Sequence, residues 1–339
     1  MSAPRWPVTI LTGMLGSGKT TVVRQLLQDP AMRGTAVLIN EIGEIGLDHH
    51  LVERVDGETI LMKSGCLCCT LRADLPQTLA SLRRRWVADG RFDLRRIVVE
   101  TTGLARPIPI LRELASNPLI CADFPLAAVI TTVDGLHGAK QMWRPEVREQ
   151  IGVADLLLLT KLDIVSSGEV IQIRDAVAEI NPRAPLHEVI NGHASVDLAS
   201  LLVSQSPVQM LTWDSISPQP ANPPFEAPPH HHVHGITLAA TRSAPIPWSQ
   251  LESFIGALLA EGAPGLLRFK GIFNVAELDS PVVLQSVQSV LYDASTLESW
   301  PDDDVRSRFV MIFEESSKRP YYVDLLANSP LDWIIAGDS

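Results

Sequence analysis

The chain has 339 residues, of which 46% are hydrophobic and 20% charged, and its formal net charge is −11. That length predicts two domains rather than one core, and the acidic balance argues against a nucleic-acid binder, which needs a basic face. No stretch approaches the ~18 apolar residues of a membrane span, so no membrane association is expected.

The opening residues, MSAPRWPVTILTGMLGSGKT, lack a basic start and a cleavage-type site, so no signal peptide is expected. A cytoplasmic setting follows, in which thiols stay reduced. From residue 7 to about 205, β-like runs alternate with helical patterns. VTILTG, TAVLINE, RRIVVETTG, PLAAVITTVD and ADLLLLTKLD are continuously apolar, as parallel strands covered on both faces are. Amphipathic stretches over Leu71–Val87 and Gly168–Ile180 lie between them. The alternation predicts an α/β domain with a mostly parallel sheet over residues 1–214. Ser215 to His232 carries six prolines and little that packs, so residues 215–229 read as a linker. Residues 230–339 predict a smaller α+β domain with mainly antiparallel connections. Its strands are expected near Val233–Thr241, Leu266–Val275, Val282–Tyr292 and Ser307–Phe313, with a helix near Trp248–Glu261.

Gly13 to Thr20, GMLGSGKT, fits G-x-x-x-x-G-K-[ST] between a β-run and a helical pattern, the context a P-loop requires. Gly13, Gly16 and Gly18 let backbone N–H groups surround phosphate oxygens, and the helix start adds favourable partial charge. Ser17 and Thr21 complete the phosphate-binding set. Lys19 would reach the β- and γ-phosphates, and Thr20 would offer its hydroxyl to Mg²⁺. Glu100 ends a buried run with Gly103 three residues later, the D/E-x-x-G layout. There the acid holds Mg²⁺ or its water and the glycine N–H meets the γ-phosphate. Lys19, Glu100 and Gly103 are therefore the candidate catalytic residues. Thr160-Lys161-Leu162-Asp163 ends another run as [NT]-K-x-D, a guanine reader. Asp163 would accept from the guanine N1–H and exocyclic amine, which adenine cannot supply, so GTP is expected over ATP. Lys161 would lie along the base.

Of four cysteines, Cys66, Cys68 and Cys69 crowd into SGCLCCTLRADL. In a reducing setting this leaves metal binding or redox switching rather than a disulfide framework. Soft thiolates suit Zn²⁺ and other late transition metals, with a fourth ligand position open. Cys121 stands alone and reads as a small packing residue. His49 and His50 read either as solvated loop residues or as a further metal ligand. His230, His231, His232 and His234 form HHHVHG, either a weak metal-recruiting tract or surface residues of an incoming strand. Arg83-Arg84-Arg85, followed by Trp86, suits the carbonyl end of a helix.

The order GMLGSGKT, NEIGEIGLD, GCLCC, ETTGLARP, TKLD resembles the CobW family of P-loop GTPases, the cobalamin-synthesis-type and zinc-associated metallochaperones. HGITLAATR, LLRFKGIFNVAE and LESWPDDDVRSRFVMIF are similar to that family's smaller C-terminal domain. The resemblance implies a metal-inserting or metal-trafficking GTPase using GTP and Mg²⁺, with the thiols as ligands for Zn²⁺ or Co²⁺; slow turnover is expected because the sequence shows no obvious catalytic Gln or Arg finger. It also implies delivery to a client metalloprotein or cofactor-insertion machinery, and leaves oligomerisation open. Glu41 and Glu44 lie where a γ-phosphate-sensing switch loop would be and are candidate ligands beside the thiolates. A nucleotide-regulated metal buffer or sensor, or a thiol redox regulator, are the rival readings. Ser64, Arg106 and Thr160 depart from the family's usual Asn, Asp and Asn.

Overall fold

A computed structural model describes residues 5–40, 52–55, 59–64, 71–88, 94–182, 184–190, 193–199, 237–260 and 263–335. Glu41, Glu44, His49, His50, Cys66, Cys68, Cys69, the proline-rich linker and the His230–His234 tract lie outside the described residues. The chain divides into two compact units, formed chiefly by residues before and after position 206.

In chain order the first part runs β1 (Val8–Gly13), α1 (Lys19–Leu26), β2 (Thr35–Asn40), β3 (Val52–Val55), β4 (Thr59–Ser64), α2 (Leu71–Ala88) and β5 (Arg96–Glu100). It continues with α3 (Pro107–Ser116), β6 (Leu126–Asp134), α4 (Pro145–Gly152), β7 (Leu156–Thr160), α5 (Ser167–Ile180), β8 (Leu186–Ile190) and β9 (His193–Ala194). The sheet order is β3-β4-β2-β5-β1-β6-β7-β8-β9. Every pairing from β4 across to β8 is parallel, and antiparallel β3 and β9 close the two edges. This is the expected α/β domain. The continuous apolar runs occupy its middle, with β1, β5 and β7 buried at every position, because crossover helices cover both faces of a parallel sheet.

Helix α2 shows how the sequence pattern becomes packing. Leu75, Leu79, Leu82 and Trp86 recur at helical spacing and are all buried, each contributing roughly 1.5–3 kcal/mol. The Trp86 ring lies 5.7 Å from that of Trp6, which stacks at 5.6 Å on Phe124. Trp86 is thus a core side chain, and Arg83, one turn before it, pairs with Asp123 at 2.8 Å.

The second unit contains β10 (Thr237–Arg242), α6 (Trp248–Leu259), β11 (Leu266–Phe273), β12 (Val282–Val287), β13 (Val290–Leu291), β14 (Ser295–Thr296), β15 (Ser307–Phe313), α7 (Arg319–Ala327) and β16 (Ile334–Ile335). Its strands form an antiparallel sheet in the order β13-β12-β11-β15-β10-β16, with β14 beside β12. The buried core joins Leu251, Phe254 and Leu258 of α6, Tyr322 of α7, and Phe269 and Phe309 from the sheet.

Three expectations need correction. The run Val282–Tyr292 is not one strand: it folds back as β12 and β13, with Gln288 at φ 50° in the turn. No Asn-Gly or Gly-X pair announced that hairpin. The strands β3, β4, β8 and β9 were not expected, because VERV, TILMKS and LHEVI mix charge or polarity into short runs. The helix α7 near the C-terminus was likewise unforeseen. No helix among the described residues is long and apolar enough to cross a membrane.

Candidate nucleotide site

The turn from β1 into α1 lies at the edge where the parallel strands end. Gly13, Gly16 and Gly18 have φ values of 138°, 76° and 90°, the left-handed region that favours glycine. Such a turn allows successive N–H groups to converge on an anion. Gly13 has a second constraint: a Cβ there would lie 2.3 Å from Thr132 Oγ1 and 2.4 Å from the Thr132 carbonyl oxygen.

The loop is braced from β6 and β7. The Ser17 hydroxyl shares a 2.6 Å hydrogen bond with Thr132. The single Thr160 hydroxyl hydrogen is directed to the Ser17 carbonyl at 2.8 Å, with the Val133 carbonyl also within reach at 3.2 Å. The threonine that stands in place of the usual Asn therefore ties the end of β7 to the P-loop. Thr160→Val keeps the shape and removes the donor, leaving buried carbonyls short of a partner. It is expected to cost about 1–3 kcal/mol, read as a lowered midpoint in urea unfolding at unchanged slope.

Lys19 is buried, and its ammonium donates to the carbonyls of Gly13 at 2.9 Å and Met14 at 3.0 Å. Burial holds its pKa below the ordinary lysine value of 10.5, against an opposing pull from the Glu100 charge. Thr20 donates from Oγ1 to Glu100 Oε1 at 2.6 Å, which brings the two expected Mg²⁺ ligands together. Thr21 follows on α1 and is exposed. Gly103 lies against the P-loop itself, where a Cβ would sit 2.2 Å from the Leu15 nitrogen.

At the end of β7, Lys161 takes a left-handed φ of 59°, and its ammonium pairs with Asp134 Oδ2 at 2.7 Å. Asp134 is buried and also accepts from the backbone N–H groups of Leu136 and His137 at 2.8 and 3.1 Å. Sequence reasoning missed Asp134. Its signal was available, because TTVDG ends a buried strand in an acid just as IVVETTG does. Asp163 lies exposed in the short turn that follows. The fold thus gathers Gly13, Ser17, Lys19, Thr20, Glu100, Gly103 and Thr160 around one loop, and sets Lys161 and Asp163 at the neighbouring strand end. Cys121 is half-buried with a free thiol. Among the described residues no group of three His, Cys, Asp or Glu side chains is gathered to hold a metal.

Helix α4 was also missed. Glu149 and Gln150 are adjacent, buried and polar. Gln150 Nε2 donates to the carbonyls of Gly103 and Ala105 at 3.3 and 3.0 Å. Glu149 accepts from the Ile108 N–H at 3.0 Å and from Arg106 Nε at 2.5 Å. The departure at Arg106 accordingly has an acidic partner.

The nucleotide-binding domain of the CobW/HypB/UreG family matches residues 7–188. The chain belongs to the CobW family. The C-terminal domain described for the cobalamin synthesis protein cobW matches residues 236–324 of this CobW-family chain. It is 32% identical to the zinc chaperone YjiA of Escherichia coli over 306 residues, 90% of this chain and 93% of that protein. It is 34% identical to zinc-regulated GTPase metalloprotein activator 1 of Schizosaccharomyces pombe over 205 residues, 58% of this chain and 48% of that one. The crystal structure of Zn(II)-bound YjiA GTPase from E. coli superposes with a TM-score of 0.65 at 28% identity, covering 95% of this CobW-family chain and 99% of that chain.

Proposed function

We propose that the protein is a GTP-hydrolysing metallochaperone that binds a divalent transition metal, zinc or cobalt, and passes it to a client metalloprotein or cofactor-insertion machinery in the cytoplasm. The enzyme is a GTPase: water attacks the γ-phosphorus, the bond to the β-phosphate oxygen breaks, and GDP and phosphate leave. One observation supports the coupling of this reaction to metal. β4 ends at Ser64, two residues before Cys66, on the same sheet and in the same direction as the strands ending at Gly13 and Glu100.

The described residues fit the nucleotide and its cation. Lys19 offers positive charge, and the left-handed glycines shape the turn of the cradle, held close to Thr132 at Gly13. Thr20 and Glu100 offer hard oxygens of the kind Mg²⁺ takes. The cation, when bound, neutralises charge developing on the phosphate oxygens. Lys19 holds the β- and γ-phosphates, the Gly103 N–H meets the γ-phosphate, and Asp163 selects guanine. In this reading Cys66, Cys68 and Cys69 bind the cargo metal as thiolates, with Glu41 or Glu44 near them, so that nucleotide state alters metal affinity. Slow intrinsic turnover belongs to the same proposal, with a partner completing the site.

Linkage supplies the test. If GTP changes metal affinity, metal must change GTP affinity by the same factor. Zinc titrations of the reduced protein with a non-hydrolysable GTP analogue, with GDP and without nucleotide are expected to differ by about 5-fold or more. Equal affinities in all three would sink the chaperone coupling and leave a metal buffer.

A further inference from the structure

We propose that Glu149 and Gln150 of α4, with Arg106, are positioning residues for GTP hydrolysis, clamping the 101–106 loop that carries Gly103. The proposal rests on the chain being a GTPase and goes beyond the assigned phosphate and base contacts.

Glu149 and Gln150 are 3% and 1% exposed although neither meets phosphate in the proposed site. Burying a carboxylate and an amide side by side is costly unless both are hydrogen-bonded. Both are, and the described bonds converge on one segment. Gln150 holds the carbonyls of Gly103 and Ala105 through its two amide hydrogens. Glu149 pairs with the Arg106 guanidinium and accepts from the Ile108 N–H in the first turn of α3. That N–H has no partner within its own helix. The helix is anchored in turn, since Thr131 of β6 donates to the Gln150 carbonyl at 2.6 Å.

The segment so held begins at Glu100 and passes Leu15 at Gly103. Its residues touch both expected ends of the chemistry, the cation-side acid and the γ-phosphate N–H. Fixing carbonyls 103 and 105 fixes the 103–104 and 105–106 peptide planes, so the chain is held immediately after the Gly103 N–H. A triphosphate would engage Gly103 and a diphosphate would not. Loss of the clamp should therefore weaken the triphosphate state selectively and lower kcat, since small misplacements of reacting groups are costly.

The experiment uses Gln150→Leu, Arg106→Ala and Arg106→Lys in the full chain. It measures kcat and KM for GTP, the dissociation constants of fluorescent GDP and of a fluorescent non-hydrolysable GTP analogue, and urea unfolding. For Gln150→Leu and Arg106→Ala the expected result is a fall in kcat of roughly 10-fold or more, with a lower ratio of triphosphate to diphosphate affinity. GDP affinity should stay within about twofold. Arg106→Lys, which keeps the ion pair, should recover most of the loss. The proposal is overturned if kcat and the affinity ratio keep their wild-type values while only stability falls, or if GDP and triphosphate affinities fall together. A wild type that binds GTP but does not hydrolyse it refutes the GTPase reading instead, and the affinity ratio still decides the clamp.

Discussion

Gly103→Ala should all but abolish GTP turnover and destabilise the nucleotide-binding unit by about 1–3 kcal/mol. A Cβ at this position would lie 2.2 Å from the Leu15 nitrogen, 2.3 Å from Leu15 Cα and 2.8 Å from Leu15 Cβ. Two of those atoms are P-loop backbone, so no rotamer change relieves the overlap. Either the loop after β5 retreats, carrying Gly103 away from the γ-phosphate, or the P-loop opens. Backbone strain is not the cause, because Gly103 has no left-handed φ. Single-turnover hydrolysis and urea unfolding of the variant read the two effects separately. Wild-type values in both would show that the two loops do not approach this closely in solution.

Asp163→Asn should reverse the base preference from GTP toward XTP. A carboxylate accepts from the N1–H and the 2-amine of guanine. Xanthine carries a carbonyl in place of that amine and calls for a donor, which an asparagine amide supplies. A site built to hydrogen-bond one group rejects the analogue lacking it strongly, so GTP affinity should fall by at least ~100-fold while XTP affinity rises. Asp163 is exposed at the surface of its turn, so the substitution should leave unfolding unchanged. The relevant measurement is direct calorimetric titration of wild type and variant with GTP, XTP and ATP. A variant that still prefers GTP would remove Asp163 from the base-reading role.

What the sequence made legible was local. The P-loop is one contiguous pattern, and Glu100 and Thr160 each sit at the end of a run apolar enough to be recognised as a central strand. The parallel order followed from those runs alternating with helices. The edges were harder to read, because β3 and β4 carry charges among their apolar residues and give no continuous run. The clamp on α4 was invisible for another reason. Its bonds join positions 43 and 47 apart in the chain, and only the folded crossover brings them together. Thr160 shows an intermediate case: its place was legible, but its hydroxyl is occupied by the Ser17 carbonyl rather than left for the base.

The strand order also acts as a ruler. Ser64 is level with Asn40 of β2, and Ile39 beside it is level with Glu100, whose partner on β1 is Leu11. Neighbouring strands are spaced about 4.8 Å apart, so β4 stands about 10 Å from the acid-bearing strand and about 14 Å from the one that feeds the P-loop. Cys66, two residues beyond Ser64, has an extended backbone reach of about 7 Å. That reach is about half the separation between β4 and the strand that feeds the P-loop. The strand ending at Asn40, next to Ser64, stands between them. On the proposed function, β2 and β5 lie between the nucleotide strand and the strand that leads to the cysteines, so the sheet itself is the relay through which the cargo site would listen to the nucleotide.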